Sequence, residues 1–196
     1  MTAIIMVDGG AYMRVIAGSA RRTPLKTLEG LGTRPTTDRI KETLFNMLQS
    51  SLADSLFLDL YAGSGAIGIE ALSRGAKQAV FVEQNRTAIR CIKENLEHTR
   101  LAEEAVVCQA EVLEGIRRLE QDGLVFDIIF LDPPYRKGEE ERVLRCLSRS
   151  TIVDKETLLV VEAARETAFD YVEELGFIML KRKEYKTNQH VYFQRG

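Results

Sequence analysis

The chain has 196 residues, 45% of them hydrophobic and 29% charged, and carries a formal net charge of −2. That length and balance suit one α/β domain with a sizeable core and a small extension, and exclude a disordered or fibrous chain. No apolar run is long enough to cross a bilayer, the first dozen residues lack the basic and apolar stretches of a signal peptide, and the three cysteines share no metal-like spacing; a cytoplasmic protein with reduced thiols and no bound metal is expected.

In chain order, residues 1–12 read as a disordered tail or a misassigned start, and residues 13–52 as an N-terminal arm followed by a helix. The arm has β-prone pieces at 14–17 and 23–27, which predict a hairpin. The helix begins at Thr37 as N-cap and places Ile40, Leu44, Met47, Leu48 and Leu52 on one face. Residues 53–196 then alternate in period. Strands are expected at 56–60, 78–83, 105–109, 127–131 and 157–161, with helices at 65–73, 86–97, 112–120, 139–147 and 169–175. Two last strands, near 177–185 and 190–194, read as a hairpin. Such βα repeats with apolar strands predict a mostly parallel, doubly wound sheet edged by an antiparallel hairpin.

Charge is unevenly spread. Residues 14–41 hold seven Lys/Arg against two acids, and residues 181–195 hold five against one, at either end of an acidic body. A basic rim of this kind can track phosphates. Arg34, Thr36, Thr37, Arg39 and Lys41 are the candidate nucleic-acid contacts, while His98 and His190 read as isolated residues with surface or satisfied roles.

Two segments carry the chemistry. The first strand runs into Leu58-Asp59-Leu60-Tyr61-Ala62-Gly63-Ser64-Gly65-Ala66-Ile67-Gly68, a G-x-G-x-x-G turn between strand and helix. Glu83, with Gln84 after it, closes the second strand where a carboxylate can accept ribose hydroxyls. Asp59 favours S-adenosylmethionine over a dinucleotide, because it suits an ammonium and repels a pyrophosphate. The fourth strand ends in Asp132-Pro133-Pro134-Tyr135. The two prolines fix an extended loop and remove two donors. An exocyclic amine on a base is a poor nucleophile until its N–H bonds are held, and the Asp132 carboxylate and Pro133 carbonyl can hold them. Tyr135 can stack on the base; stacking needs the ring and not the hydroxyl. Catalysis would come from orientation and in-line approach. In a doubly wound sheet the first and fourth strands are neighbours at the switch point, where ligands bind.

With Arg14-Val15-Ile16-Ala17-Gly18, Thr33-Arg34-Pro35-Thr36-Thr37-Asp38-Arg39 and the run from Leu58 through Ala76, the chain resembles the bacterial small-subunit rRNA guanine-N2 methyltransferases over residues 13–195. The resemblance implies the class I methyltransferase fold and S-adenosylmethionine as cofactor. It also implies methylation of a guanine N2 in the 16S rRNA of assembling small subunits, by a protein expected to be a monomer. A DNA adenine-N6 methyltransferase would use the same Asp-Pro-Pro-Tyr logic but normally needs a target-recognition domain. The chain departs from the family in two places. It has Ala110-Glu111-Val112 where the family has Asn-Asp-Ala near the adenine, which places Glu111 and Val112 among the cofactor candidates. It also has Tyr185-Lys186-Thr187-Asn188-Gln189-His190 where the family has a Gly-Gly-Thr turn.

Overall fold

The computed structural model describes residues 13–28, 38–135 and 138–196. The expectations for residues 1–12, and for Arg34, Thr36 and Thr37, lie outside the described residues. Seven strands form one sheet: β1 (Leu56–Leu60), β2 (Gln78–Glu83), β3 (Ala105–Gln109), β4 (Ile128–Leu131), β5 (Leu158–Ala164), β6 (Phe177–Glu184) and β7 (Asn188–Arg195). Their order is β3-β2-β1-β4-β5-β7-β6. The first five are parallel, and β7 runs antiparallel to both of its neighbours. This is the class I methyltransferase topology, with the last strand inserted between β5 and β6.

The apolar strands bury both faces, as a parallel sheet with helices on each side requires. Phe57, Phe81, Phe130 and Val160 pack with α1 (Asp38–Leu52), α2 (Ala66–Ser73) and α3 (Arg86–Thr99). Leu58, Val80, Ile129 and Val161 pack on the other face with α4 (Val112–Gln121) and α5 (Glu139–Leu147). Among the described residues no helix is long and apolar enough to cross a membrane.

Three expectations are corrected. The helix expected at 169–175 is a run of turns, closed by Val172 N–H on the Phe169 carbonyl at 3.2 Å and Leu175 N–H on the Val172 carbonyl at 3.1 Å. A segment of two turns gains too few bonds to repay helix nucleation, and burial of Phe169 and Val172 holds it instead. The arm hairpin forms but is shorter than expected: beside the Arg14–Pro24 bridge, Val15 N–H donates to the Thr23 carbonyl at 3.0 Å, Arg22 N–H to the Val15 carbonyl at 2.8 Å and Leu25 N–H to the Met13 carbonyl at 2.8 Å. Its other donors go elsewhere: Ile16 and Ala17 N–H to the Glu70 carboxylate of α2, at 2.8 and 3.0 Å, and Ser19 N–H to the Ser73 carbonyl at 2.7 Å. Gly18 makes this docking possible. Its φ is +85°, and a Cβ there would lie 1.6 Å from the Ser73 carbonyl oxygen.

The third correction is Lys41, expected at a nucleic-acid face. Its side chain is 0% exposed, paired with Glu70 at 3.0 Å and donating to the Arg14 carbonyl at 2.9 Å. Burial pulls its ammonium below the usual lysine range, against the opposing pull of Glu70. Lys41 therefore latches the arm to α1 and α2 and is not available to a phosphate; Arg39 is exposed.

Candidate active site at the switch point

Strands β1 and β4 pair directly, with Asp59 opposite Phe130 and Leu60 opposite Leu131, so the glycine turn after β1 and the Pro-Pro loop after β4 emerge side by side. The glycine turn holds an unusual backbone. Tyr61, Gly63 and Gly65 all have positive φ, at 63°, 56° and 78°. A tyrosine in that region carries strain that the surroundings must hold in place. Its hydroxyl does part of this by donating to Glu139 Oε2 at 2.8 Å. From below, Asp59 Oδ2 accepts the Gly68 N–H at 2.9 Å, placing a carboxylate at the positive end of α2. Burial, partly offset by that bond, pushes Asp59 up to about 7.

Glu83 faces the turn from the end of β2. Its Oε2 accepts the Gly63 N–H at 3.0 Å and its Oε1 the Asn85 N–H at 2.7 Å. Each oxygen keeps a second lone pair for a ligand hydroxyl. Asn85 caps α3 by accepting from Thr87 and Ala88 N–H. Asn95 of the same helix donates to the Ser64 and Lys26 carbonyls at 2.9 and 3.1 Å, tying the glycine turn to the arm.

A cleft of about 290 Å³ opens beside Glu83. Of the residues expected around a cofactor, Tyr61, Glu83, Gln84, Glu111 and Val112 line it. Asp59, Ala62, Gly63, Ser64 and Gly65 are not in its lining, though Gly63 reaches it through its N–H on Glu83. Pro134 also borders it, which joins the cleft to the Pro-Pro loop. Sequence reasoning missed Val82, Ala110, Glu139 and Arg142 in the lining. Glu111 is the N-cap of α4: its Oε2 accepts the Leu113 N–H at 2.9 Å, and its Oε1 takes Arg142 at 3.0 Å. Arg142 also holds Glu139 at 2.8 Å. Both oxygens of Glu111 are thus engaged in building the wall, and its chance to read an adenine directly is reduced to remaining lone pairs. The acidic first turn of α5 and the Arg three residues on were legible as a solvated helix start. Their approach to Glu111 was not, since it spans 31 residues of sequence.

On the other side of Pro134, Asp132 is partly buried, Pro133 buried and Tyr135 40% exposed. Burial, then the neighbouring carboxylates Glu162, Asp59 and Glu140, hold the Asp132 carboxyl well above the usual range. The Tyr135 hydroxyl donates to Glu162 Oε1 at 2.8 Å. Its phenol is raised by burial and by the Glu162 and Asp132 carboxylates. The hydroxyl, which stacking alone does not need, is therefore engaged. His190, read as isolated, is buried and bound to Glu162 at 3.0 Å.

Carboxylates dominate this region: Asp59, Glu83, Glu111, Asp132, Glu139 and Glu162. Such a site disfavours a pyrophosphate and favours a ligand that brings hydroxyls and positive charge.

A family model described as "conserved hypothetical protein 95" matches residues 13–194. YlbH of Bacillus subtilis is 36% identical over 94% of this chain and 100% of its own length. Ribosomal RNA small subunit methyltransferase D of Escherichia coli is 36% identical over 84% of this chain and 81% of its own. The structure of yhhF from Escherichia coli superposes with a TM-score of 0.81 at 35% identity, covering 93% of this chain and 97% of that one.

Proposed function

The chain belongs to the conserved hypothetical protein 95 family, and from that membership and the site we propose that it transfers a methyl group from S-adenosylmethionine to the N2 amine of a guanine in 16S rRNA of the assembling small subunit, in the cytoplasm. The observation that carries this reading is Pro134 at the rim of the acidic cleft, which puts the amine-holding Asp132 and Pro133 next to the place where the cofactor fits. S-adenosylmethionine supplies an electrophilic methyl on a positively charged sulfur. Glu83 binds its ribose hydroxyls, and Tyr61, Gln84 and Val112 shape the cleft around its adenosine. The Asp132 carboxylate and the Pro133 carbonyl accept the two N–H bonds of the target amine and aim its lone pair at the methyl. Tyr135 stacks on the base and sets its plane. The raised affinity of Asp132 for a proton suits it to take one as the nitrogen becomes cationic.

The test is incubation with labelled S-adenosylmethionine and undermodified small subunits, followed by nucleoside analysis. Label in N2-methylguanosine is expected. With double-stranded DNA offered in a parallel incubation, label in its N6-methyladenine and none in the subunits would overturn the RNA assignment.

Two results on the cofactor follow. Glu83→Ala should weaken S-adenosylmethionine binding by about 1.5–3 kcal/mol, the worth of hydrogen bonds to a charged group; calorimetry with unchanged affinity would remove the ribose role. Affinity should also fall as the solution is acidified. Asp59 holds its proton up to about 7 in the free protein, and a cation binds better to the ionised form. Lowering the pH below 7 adds a deprotonation cost that approaches about tenfold per pH unit. A flat affinity between pH 8 and pH 6 would show that Asp59 does not feel the ligand's charge.

A further inference from the structure

The mechanism uses the Tyr135 ring but leaves unexplained why a carboxylate is buried behind it. Glu162, near the end of β5, is 4% exposed. Its Oε1 accepts the Tyr135 hydroxyl at 2.8 Å and Asn188 Nδ2 at 2.7 Å, and its Oε2 meets His190 Nε2 at 3.0 Å. Asn188 and His190 both lie on β7, and His190 is the direct cross-strand partner of Glu162. Tyr185, the first residue of the β6–β7 turn, places its hydroxyl 3.4 Å from His190 Nδ1. One tautomer satisfies the whole chain, with Tyr185 donating to Nδ1 and Nε2–H donating to Glu162. The imidazole is packed edge-on against Phe130 and Tyr185, with ring centroids 6.2 and 5.1 Å away. Three donors, two of them from β7, thus converge on a single carboxylate, and only one of them, Tyr135, belongs to the catalytic loop.

A buried carboxylate held by polar partners is a poor way to stiffen two strands that are already laddered, because an apolar pair does so without the desolvation cost. What an apolar pair cannot do is grip a phenol hydroxyl. Without that grip, the half-exposed ring of Tyr135 is free to rotate about its Cα–Cβ bond, and stacking would no longer define the plane of the target base.

We propose that Glu162, held by His190 and Asn188, is a positioning residue that sets the Tyr135 ring, so that the C-terminal strands are part of the acceptor site. This rests on the reading of Tyr135 as the ring on which the target base stacks.

The test is a double-mutant cycle on methyl transfer to small-subunit RNA. Tyr135→Phe and Glu162→Gln should each lower kcat about tenfold, the loss expected for one hydrogen bond to a charged group, with S-adenosylmethionine affinity unchanged. The double variant should be no slower than either single one, because both changes break the same bond. A Tyr135→Phe protein with wild-type kcat overturns the proposal, as does a Glu162→Gln loss that is just as large in the Tyr135→Phe background. Should Glu162→Gln not fold, His190→Gln enters the same cycle, and the Tyr135→Phe result stands alone in any case. Wild-type protein that transfers no methyl defeats the functional reading separately. Spectra of ring-¹³C-tyrosine protein with S-adenosylhomocysteine then decide the positioning, since Tyr135 signals that do not move in Glu162→Gln overturn it and signals that shift and broaden support it.

Discussion

Replacing Asp132 by Ala is expected to lower methyl transfer by about 10²–10³-fold, the range seen when one pre-organised polar contact to a reacting group is lost, while S-adenosylmethionine still binds. The carboxylate stands at the end of β4, past the last residue paired with β1, and does not line the cleft where the adenosine fits. Its removal takes away one of two acceptors for the target amine, so the lone pair loses its aim. It also removes one member of a crowded group of carboxylates, since Glu162, Asp59 and Glu140 all raise the Asp132 carboxyl; cofactor affinity therefore falls only by the share of attraction that this one charge supplied. Single-turnover methylation with saturating cofactor, beside calorimetry of cofactor binding, separates the two. Near-normal turnover in the variant would falsify the role given to Asp132.

Replacing Lys41 by Met should destabilise the protein by about 3 kcal/mol, because it leaves a buried carboxylate short of its partner. Glu70 and Lys41 side chains are both 0% exposed. The loss is held below the upper end of that class because Arg74 still pairs with Glu70 at 2.7 Å, and Ile16 and Ala17 N–H still point at it. For a chain of this length the melting temperature should fall by about 6–12 °C. Hydrogen exchange should rise first at residues 14–17, whose buried contact with α1 runs through the Lys41 ammonium and the Arg14 carbonyl, leaving the exposed Arg14–Asp38 pair. Urea unfolding within about 0.5 kcal/mol of wild type would mean that the latch is dispensable. Since the arm is tied to the glycine turn through Asn95, Lys26 and Ser64, the variant should also bind S-adenosylmethionine less well when the arm is loosened.

The parts legible from sequence are those governed by local rules. A glycine pattern after an apolar strand and an acid some twenty residues on required only the backbone geometry of a βα turn. The four residues 132–135 carried their own chemistry, because two prolines restrict their loop whatever surrounds it. The strand and helix ranges followed from period; where period was weakest, the helix at 169–175 failed and the arm hairpin came out shorter than expected.

Tertiary structure decided which charges face solvent and which face each other. Lys41 and Arg39 look alike in sequence, two residues apart at the start of one helix. They differ because only Lys41 turns onto the face that meets Glu70 of α2. Glu111 lost its expected freedom to Arg142, and the Tyr135 hydroxyl and His190 gained a shared partner in Glu162. None of these pairs is closer than 27 residues in the chain. Sequence patterns report what each residue prefers within a turn or two of backbone. The partner of a buried charge is set by the order in which strands lie in the sheet, and here the insertion of β7 between β5 and β6 brings His190 and Asn188 to Glu162.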